Sequence, residues 1–280
     1  MVHTTRWRGS RGQDIAERIA YPFAYLINRP RFHVIGKFLY DFALRCNGIG
    51  IAFPGGRGLT ISEEKFLSRV APLLKGATIF DVGANTGAYA SLLKDLIPDC
   101  TIYAFEPHPR TFAKLQQAAA TKGFTAIRKA VSDTTGPTRL YDFAGEDGST
   151  QASLDRETIS FQDDAPPVSH EVASVRLDEI ADELQIQKID LLKIDTEGFD
   201  LAVLKGATRL LAERRIEMIQ FDIIPVDVVR RIAIKDFFEV LDGYDLYRMC
   251  MNGQLLSLQP YSVKTCEICV TQNLIAKLRR

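Results

Sequence analysis

Residues 78–87 read TIFDVGANTG, an apolar run that ends in an acid and breaks into a glycine loop. Thr78, Ile79, Phe80 and Val82 favour an extended strand, while Gly83 and Gly87 let the backbone turn sharply and pass close to a bound molecule. The stretch therefore reads as a strand that delivers a ligand site. A loop rimmed with free amides (Ala84, Asn85, Thr86) but headed by the Asp81 carboxylate suits a ligand with both a cationic and an anionic end. It suits a bare diphosphate less well. The plain alternative is a strand–turn–helix junction without a ligand.

From here the pattern alternates. A helix is expected over 87–96, a strand over 101–105 (TIYAF), a helix over 111–121 and a strand over 124–131. Such alternation argues for a parallel sheet covered by helices on both faces. Pro107 and Pro109 stop the second strand, so Glu106 sits at its carboxyl end. It follows Gly83 by 23 positions, the spacing at which an acid of a doubly wound sheet reaches a ribose diol. Val131, Ser132 and Asp133, at the end of the next strand, offer an apolar wall and a polar tip suited to an adenine ring.

A second informative stretch, residues 189–198, reads IDLLKIDTEG. Its apolar residues make a buried strand, and Asp195 and Glu197 fall at the carboxyl end, before a helix over 199–211 whose N-terminus favours a charged carboxylate. Capping of that helix is the competing reading for either acid. A strand over 216–221 ends in Asp222, a helix runs to Leu241, and strands over 244–250 and 263–271 close the chain. Asp195, Glu197 and Asp222 on one edge make a divalent metal conceivable. With neither a histidine nor a fourth acid in register, no metal is assigned.

The alternation stops over 136–174, an acidic insert with Asp142, Glu146, Asp147, Asp155, Glu157, Asp163, Asp164 and Glu171 against Arg139 and Arg156. Its pieces TRLYDF and SHEVASVRL have strand character and are expected to pair. Insertions at a loop face carry specificity in many enzymes, and an acceptor-side cap is the functional reading of this one; a solvated surface excursion is the other.

The 280 residues carry 35 basic and 35 acidic side chains, which gives no basic stripe for nucleic acid. No apolar run approaches the ~18 residues of a membrane span. Five cysteines and no secretory leader fit a reduced cytoplasmic setting. Cys266 and Cys269 are read as packing residues of a strand, since an offset of three places them on opposite faces. Residues 1–60 form a basic helical extension and connector, and 61–280 the main domain. The first forty residues carry seven basic and two acidic side chains, a local +5, and the tip around Thr4, Thr5, Gly9, Ser10 and Gly12 is expected to be mobile. Over 32–44 apolar residues recur at helical spacing; that face packs on the main domain, forms a homodimer contact, or rests peripherally on an acidic membrane surface. A helix over 62–74 opens on a Ser62 cap.

FDVGANTG, AFEPHP and LLKIDTEGFDLAVLKGA, in this order, together with IQFDI, GYDLYRM and TQNLIAK near the end, resemble the FkbM family of S-adenosylmethionine-dependent methyltransferases. The similarity runs from about Ala77 to Lys277. It implies a Rossmann-like class I methyltransferase fold, α/β, with a seven-stranded, mostly parallel sheet whose last strand inserts antiparallel. It also implies O-methylation of a hydroxyl on a sugar, glycan or polyketide-type small molecule. The cofactor S-adenosylmethionine would lie on Asp81, Gly83, Ala84, Asn85, Thr86 and Gly87, with its ribose on Glu106 and its adenine beside Val131 and Ser132. Asp195 would act as base or orient the acceptor, with Glu197 next and His108 after it. His108 and Asp222 depart from the family's usual small polar residue and glutamate, which touches the acceptor side. A nicotinamide-dependent oxidoreductase and a non-catalytic binding module on the same fold remain as rivals. Against the first, Gly83 and Gly87 do not complete a GxGxxG.

Overall fold

In the computed structural model, which describes residues 11–57, 59–145 and 148–280, the TIFDV segment is a strand buried on both faces. The chain divides into two compact units, Met1–Asn47 and Gly48–Arg280. The tip residues Thr4, Thr5, Gly9 and Ser10, and the insert's Glu146 and Asp147, lie outside the described residues. The first unit contains α1 (Arg11–Ile27) and α2 (His33–Cys46), joined by a short 3-10 turn at Pro30–Phe32.

The second unit runs α3 (Ile61–Val70), β1 (Thr78–Val82), α4 (Ala88–Leu96), β2 (Thr101–Phe105), α5 (Pro109–Lys122), β3 (Thr125–Ile127) and β4 (Ala130–Ser132). The insert follows with β5 (Gly136–Asp142), α6 (Arg156–Gln162) and β6 (Val168–Arg176). Then come α7 (Leu177–Glu183), β7 (Leu191–Ile194), α8 (Asp200–Lys205), α9 (Thr208–Ala212), β8 (Met218–Ile223), α10 (Val226–Val229) and α11 (Ile234–Val240). The chain closes with β9 (Tyr244–Met249), β10 (Leu255–Ser257), α12 (Val263–Cys266) and β11 (Gln272–Leu278).

The main sheet has the order β10-β9-β11-β8-β7-β1-β2-β3. From β3 through β8 the pairs are parallel, and β11 inserts antiparallel between β8 and β9. This is the class I methyltransferase arrangement, α/β and Rossmann-like, with one addition: the three-residue β10 makes an eighth strand on the edge of β9. Alternate residues of each central strand enter two separate cores. Phe80, Leu192 and Phe221 face one, Ile79, Leu191 and Ile275 the other. Burial on both faces explains why these strands read as unbroken apolar runs, each such side chain contributing ~1.5–3 kcal/mol.

Several boundaries differ from the sequence expectation. The strand expected over 124–131 is two strands in two sheets: β3 pairs with β2, while β4 leaves to pair with β6 beside β5. The insert's two expected strands do pair, antiparallel, as β5 and β6. The helix expected over 199–211 breaks at Gly206, where a Cβ would stand 2.1 Å from the Ser132 carbonyl oxygen. The cap of α3 is Thr60, not Ser62: Thr60 Oγ1 accepts from the Glu63 amide, and Glu63 accepts in return from the Thr60 amide at 3.0 Å. Residues 263–271 are not a strand. Val263–Cys266 is a helical turn that buries Cys266, and Cys269 lies exposed beyond it.

Candidate functional site

The carboxyl ends of β1, β2 and β7 converge. After Val82 the chain turns at Gly83 (φ +77°), whose amide donates to the Phe105 carbonyl at 3.0 Å, with the Ala84 amide beside it at 2.9 Å. A Cβ on Gly83 would lie 1.8 Å from the Asp195 carbonyl oxygen, so the loop is pressed onto the end of β7 and only glycine fits. Asn85 (φ +49°) donates its amide to Glu106 Oε2 at 3.0 Å, and His108 donates its own to Oε1 at 2.8 Å. The glycine loop and the β2 end are thus tied through one carboxylate. Burial pushes Glu106 up to about 7, against those two amide bonds, which pull it down.

Two cavities open around this junction. A narrow one of about 60 Å³ is walled by Glu106, Pro107, Val131, Leu140 and Leu154. A wider cleft of about 610 Å³ is lined by Asp81, Ala84, Thr86, Tyr89 and Lys193. Gly83, Asn85, Thr150, Asp195 and Glu197 border both, so the two spaces meet at the ends of β1 and β7.

The cleft has an acidic floor with one ammonium in it. Lys193 is 2% exposed, and its Nζ stands 3.0 Å from Asp195 Oδ2 and 5.7 Å from the Tyr89 ring centre. Burial opposes its charge, but Asp195, Asp222, Glu63 and Asp81 outweigh burial and keep its pKa well above the ordinary lysine value. Asp81, 1% exposed, is pushed up to about 7 by burial, with Lys193 opposing. Its carboxylate takes a hydrogen bond from the Ala90 backbone, while Oδ2 has no partner among the described residues. Burial likewise drives Asp222 well above the ordinary range, Lys193 again opposing. Tyr89 donates to Gln220 Oε1 at 2.8 Å, and Gln220 Nε2 donates to Glu63 at 3.2 Å, which fixes the apolar rim of the floor.

The loop after β7 is held from beneath. Asp200 accepts from the Thr196 amide at 2.9 Å, from Thr196 Oγ1 at 2.6 Å and from the Asp222 amide at 3.0 Å. Glu197 adopts φ +50° at the crest of this loop, and its carbonyl accepts from Ser153 of the insert. Burial pushes its carboxyl up to about 8, helped by Asp195 and Asp200 and resisted by Lys193. A non-glycine residue in left-handed backbone beside a cleft is the kind of strain that functional loops store.

A sequence model described as the methyltransferase FkbM domain matches residues 81–240, more than half of the chain. The chain belongs to the FkbM methyltransferase domain family. Among curated relatives it is 26% identical over 164 residues to the hexuronic acid methyltransferase AglP of Haloferax volcanii, covering 55% of this chain and 61% of that protein. It is 30% identical over 171 residues to the 31-O-demethyl-FK506 methyltransferase FkbM of Streptomyces tacrolimicus, covering 52% of this chain and 65% of that protein. The chain thus spans less than two thirds of the length of each. A putative O-methyltransferase from Klebsiella pneumoniae is a solved structure with similarity at TM-score 0.44 and 12% identity, over 86% of this chain and 89% of that one.

The FkbM domain brings most of the sequence-selected residues together. Gly83, Asn85, Asp195 and Glu197 border both cavities, Glu106 and Val131 line the narrow one, and Asp81, Ala84 and Thr86 line the cleft. Three stand elsewhere. Gly87 caps α4 at φ +87°, against Leu115 and Phe124. Ser132 turns its hydroxyl to Asp133 at 3.2 Å and its carbonyl to Gly206. His108, 1% exposed, lines neither cavity: its Nε2 is 3.6 Å from Asp142 Oδ2, and its ring stacks edge-on against His170 at 4.6 Å. Its ring therefore packs on Asp142 and His170 of the insert.

Lys193, Tyr89 and Gln220 of the FkbM domain, and Glu63 ahead of it, were not legible as site residues in the sequence. Only Lys193 left a signal, as a cation inside an otherwise apolar central strand. From the insert, Leu140 and Leu154 wall the narrow cavity beside Glu106, and Thr150 borders both spaces.

Proposed function

We propose that this protein is an S-adenosylmethionine-dependent methyltransferase that methylates a hydroxyl on a sugar, glycan or polyketide-type small molecule. The observation that carries the reading is the shared border of the two cavities at Gly83, Asn85, Asp195 and Glu197. A transfer between two substrates needs two spaces that touch at one point, with groups there to orient the acceptor and take its proton.

The residues present fit the cofactor. The Oδ2 of buried Asp81, without a hydrogen-bond partner among the described residues, suits the ammonium of the methionine part. Glu106, its carboxyl fixed by two amides, would hold the ribose diol, and Val131, Leu140 and Leu154 would supply apolar walls for the adenine. When bound, the cofactor supplies an electrophilic methyl group. On the acceptor side, Asp195 is oriented by Lys193 at 3.0 Å and remains 45% exposed at its side chain, so it can accept a hydrogen bond from the incoming hydroxyl. Glu197, with a carboxyl at about 8, is a stronger proton acceptor than an ordinary carboxylate and is the better candidate for taking that proton. The names of the two curated relatives, a hexuronic acid methyltransferase and a 31-O-demethyl-FK506 methyltransferase, support a hydroxyl acceptor of this class.

Calorimetric titration with S-adenosylmethionine and with NAD tests the cofactor. Binding of the first and not the second is expected, and the reverse overturns the reading. Incubation with methyl-labelled cofactor and fractionated extract then identifies what gains the label.

A further inference from the structure

The N-terminal unit presents an apolar surface that the methyltransferase reading leaves unused. No residue of α2 is buried. Ile35, Phe38, Leu39 and Phe42 recur at one-turn spacing along it and are 47%, 66%, 47% and 58% exposed. On α1, Ile19, Phe23 and Leu26 form a similar stripe, 62%, 64% and 58% exposed. Within the unit, Phe23, Ile27, Phe32 and Leu39 line a groove of about 630 Å³ between the helices. Apolar stripes left exposed in this way mark a contact surface.

Charge says what covers it. Between residues 18 and 47 stand Arg18, Arg29, Arg31, Lys37 and Arg45 against Asp41 alone. Asp41 is itself neutralised by Lys37 at 2.7 Å, so arginines set the potential around the stripes. A second copy docked face to face would bring two such cationic rims together, whereas an anionic surface would offset them. The aromatic content points the same way: Tyr21, Tyr25 and Tyr40 join the exposed phenylalanines, and amphipathic aromatic rings favour the boundary between water and acyl chains. Among the described residues no helix is long and apolar enough to cross a membrane, which leaves helices lying in the plane of the surface.

We infer that α1 and α2 form a peripheral docking surface for a bilayer containing anionic lipid. This stands independently of the methyl-transfer reading.

Sedimentation of the full chain with liposomes tests it, using phosphatidylcholine alone and phosphatidylcholine with about a third phosphatidylglycerol. Binding at least tenfold stronger to the anionic vesicles is expected, weakening as salt is raised. Phe38→Glu with Phe42→Glu should lower that binding at least tenfold. Arg29→Glu with Arg31→Glu should do so too while leaving the apolar stripes intact; an unchanged thermal transition in this second variant separates lost docking from lost folding. No binding to anionic vesicles, equal binding to both vesicle types, or a stable dimer in solution that excludes vesicles would each overturn the inference.

Discussion

Lys193 Nζ lies 3.0 Å from Asp195 Oδ2, the lysine side chain 3% exposed and the aspartate 45%. The pair joins a buried cation to the one carboxylate of its cluster that reaches into the cleft so openly. Its partners Asp81 and Asp222 are held toward their protonated forms by burial, so the ammonium is the anchor of the floor.

Replacing it with an isosteric apolar chain should be costly. Lys193→Met leaves Asp195 without its buried counter-charge and removes the charge that opposes protonation of Asp81 and Asp222, and a loss of ~3–5 kcal/mol is expected. Asp195→Asn removes a partly solvated partner and leaves Lys193 with Asp81, Asp222 and Glu63 around it, so a smaller loss is expected. Urea denaturation of the two variants measures both, and equal losses would contradict the anchoring role.

Turnover should divide the acids differently. Asp195→Asn and Glu197→Gln are each expected to lower methyl transfer by ~10²-fold or more, while cofactor affinity stays within about threefold. Single-turnover transfer to the acceptor identified by labelling, set beside calorimetric affinity, separates the two effects. In the parent, transfer should rise with pH to a plateau above about 8, as the Glu197 carboxyl ionises; in Glu197→Gln that rise should vanish.

Glu106→Gln keeps the size of the side chain but removes its charge and one of two acceptors for the Asn85 and His108 amides. Cofactor affinity is expected to fall ~10- to 100-fold, measured calorimetrically, with little change in which acceptor is used.

Stability should depend on pH in a direction set by the raised carboxyls. Asp81, Glu106 and Asp227 are pushed up to about 7 and Glu197 to about 8, from ordinary values of 3.8 and 4.5. The folded state holds these protons more tightly than the unfolded one. Their contribution is complete below the unfolded values and is lost as pH rises to and through 7 to 8. Thermal melts of the free protein are therefore expected to drop between about pH 5 and 8. Cofactor affinity should move oppositely over pH 5.5 to 7.5, because an ammonium pairs best with ionised Asp81, and Asp81→Asn should flatten that rise.

Gly83→Ala tests the contact between loops. The added Cβ would meet the Asp195 carbonyl oxygen at 1.8 Å, in left-handed backbone. A loss of at least ~2 kcal/mol by urea denaturation is expected, together with weakened cofactor binding, since the loop can yield only by lifting from β7.

Strands β1 and β2 were legible to the residue because punctuation is local: Gly83 ends one and Pro107 the other, each through its own backbone geometry. The 124–131 stretch was not. Its propensity for extended structure is continuous, and only pairing with β6, 44 residues away between Ala130 and Ser174, pulls its second half into another sheet. Residues 263–271 failed likewise. Their β-branched side chains suggest a strand, yet Glu267 accepts the amides at the start of α11 at 2.9 and 2.8 Å, and Cys266 is buried, so the segment is fixed as a turn.

By itself the sequence determined the alternating architecture, the glycine loop with its leading acid, and the positions of Glu106, Asp195 and Glu197 at strand ends, because hydrophobic period and backbone breakers act over a few residues. What lay beyond it was decided by tertiary contact. Lys193 acquires its meaning from Asp81 on a neighbouring strand, Asp222 on another and Glu63 on a helix, none adjacent in the chain. His108, which looked chemically apt in AFEPHP, is sealed against Asp142 and His170 by the folded insert. Electrostatics and burial depend on what the fold brings near, and in this protein they join Lys193 to the cleft floor and His108 to the insert.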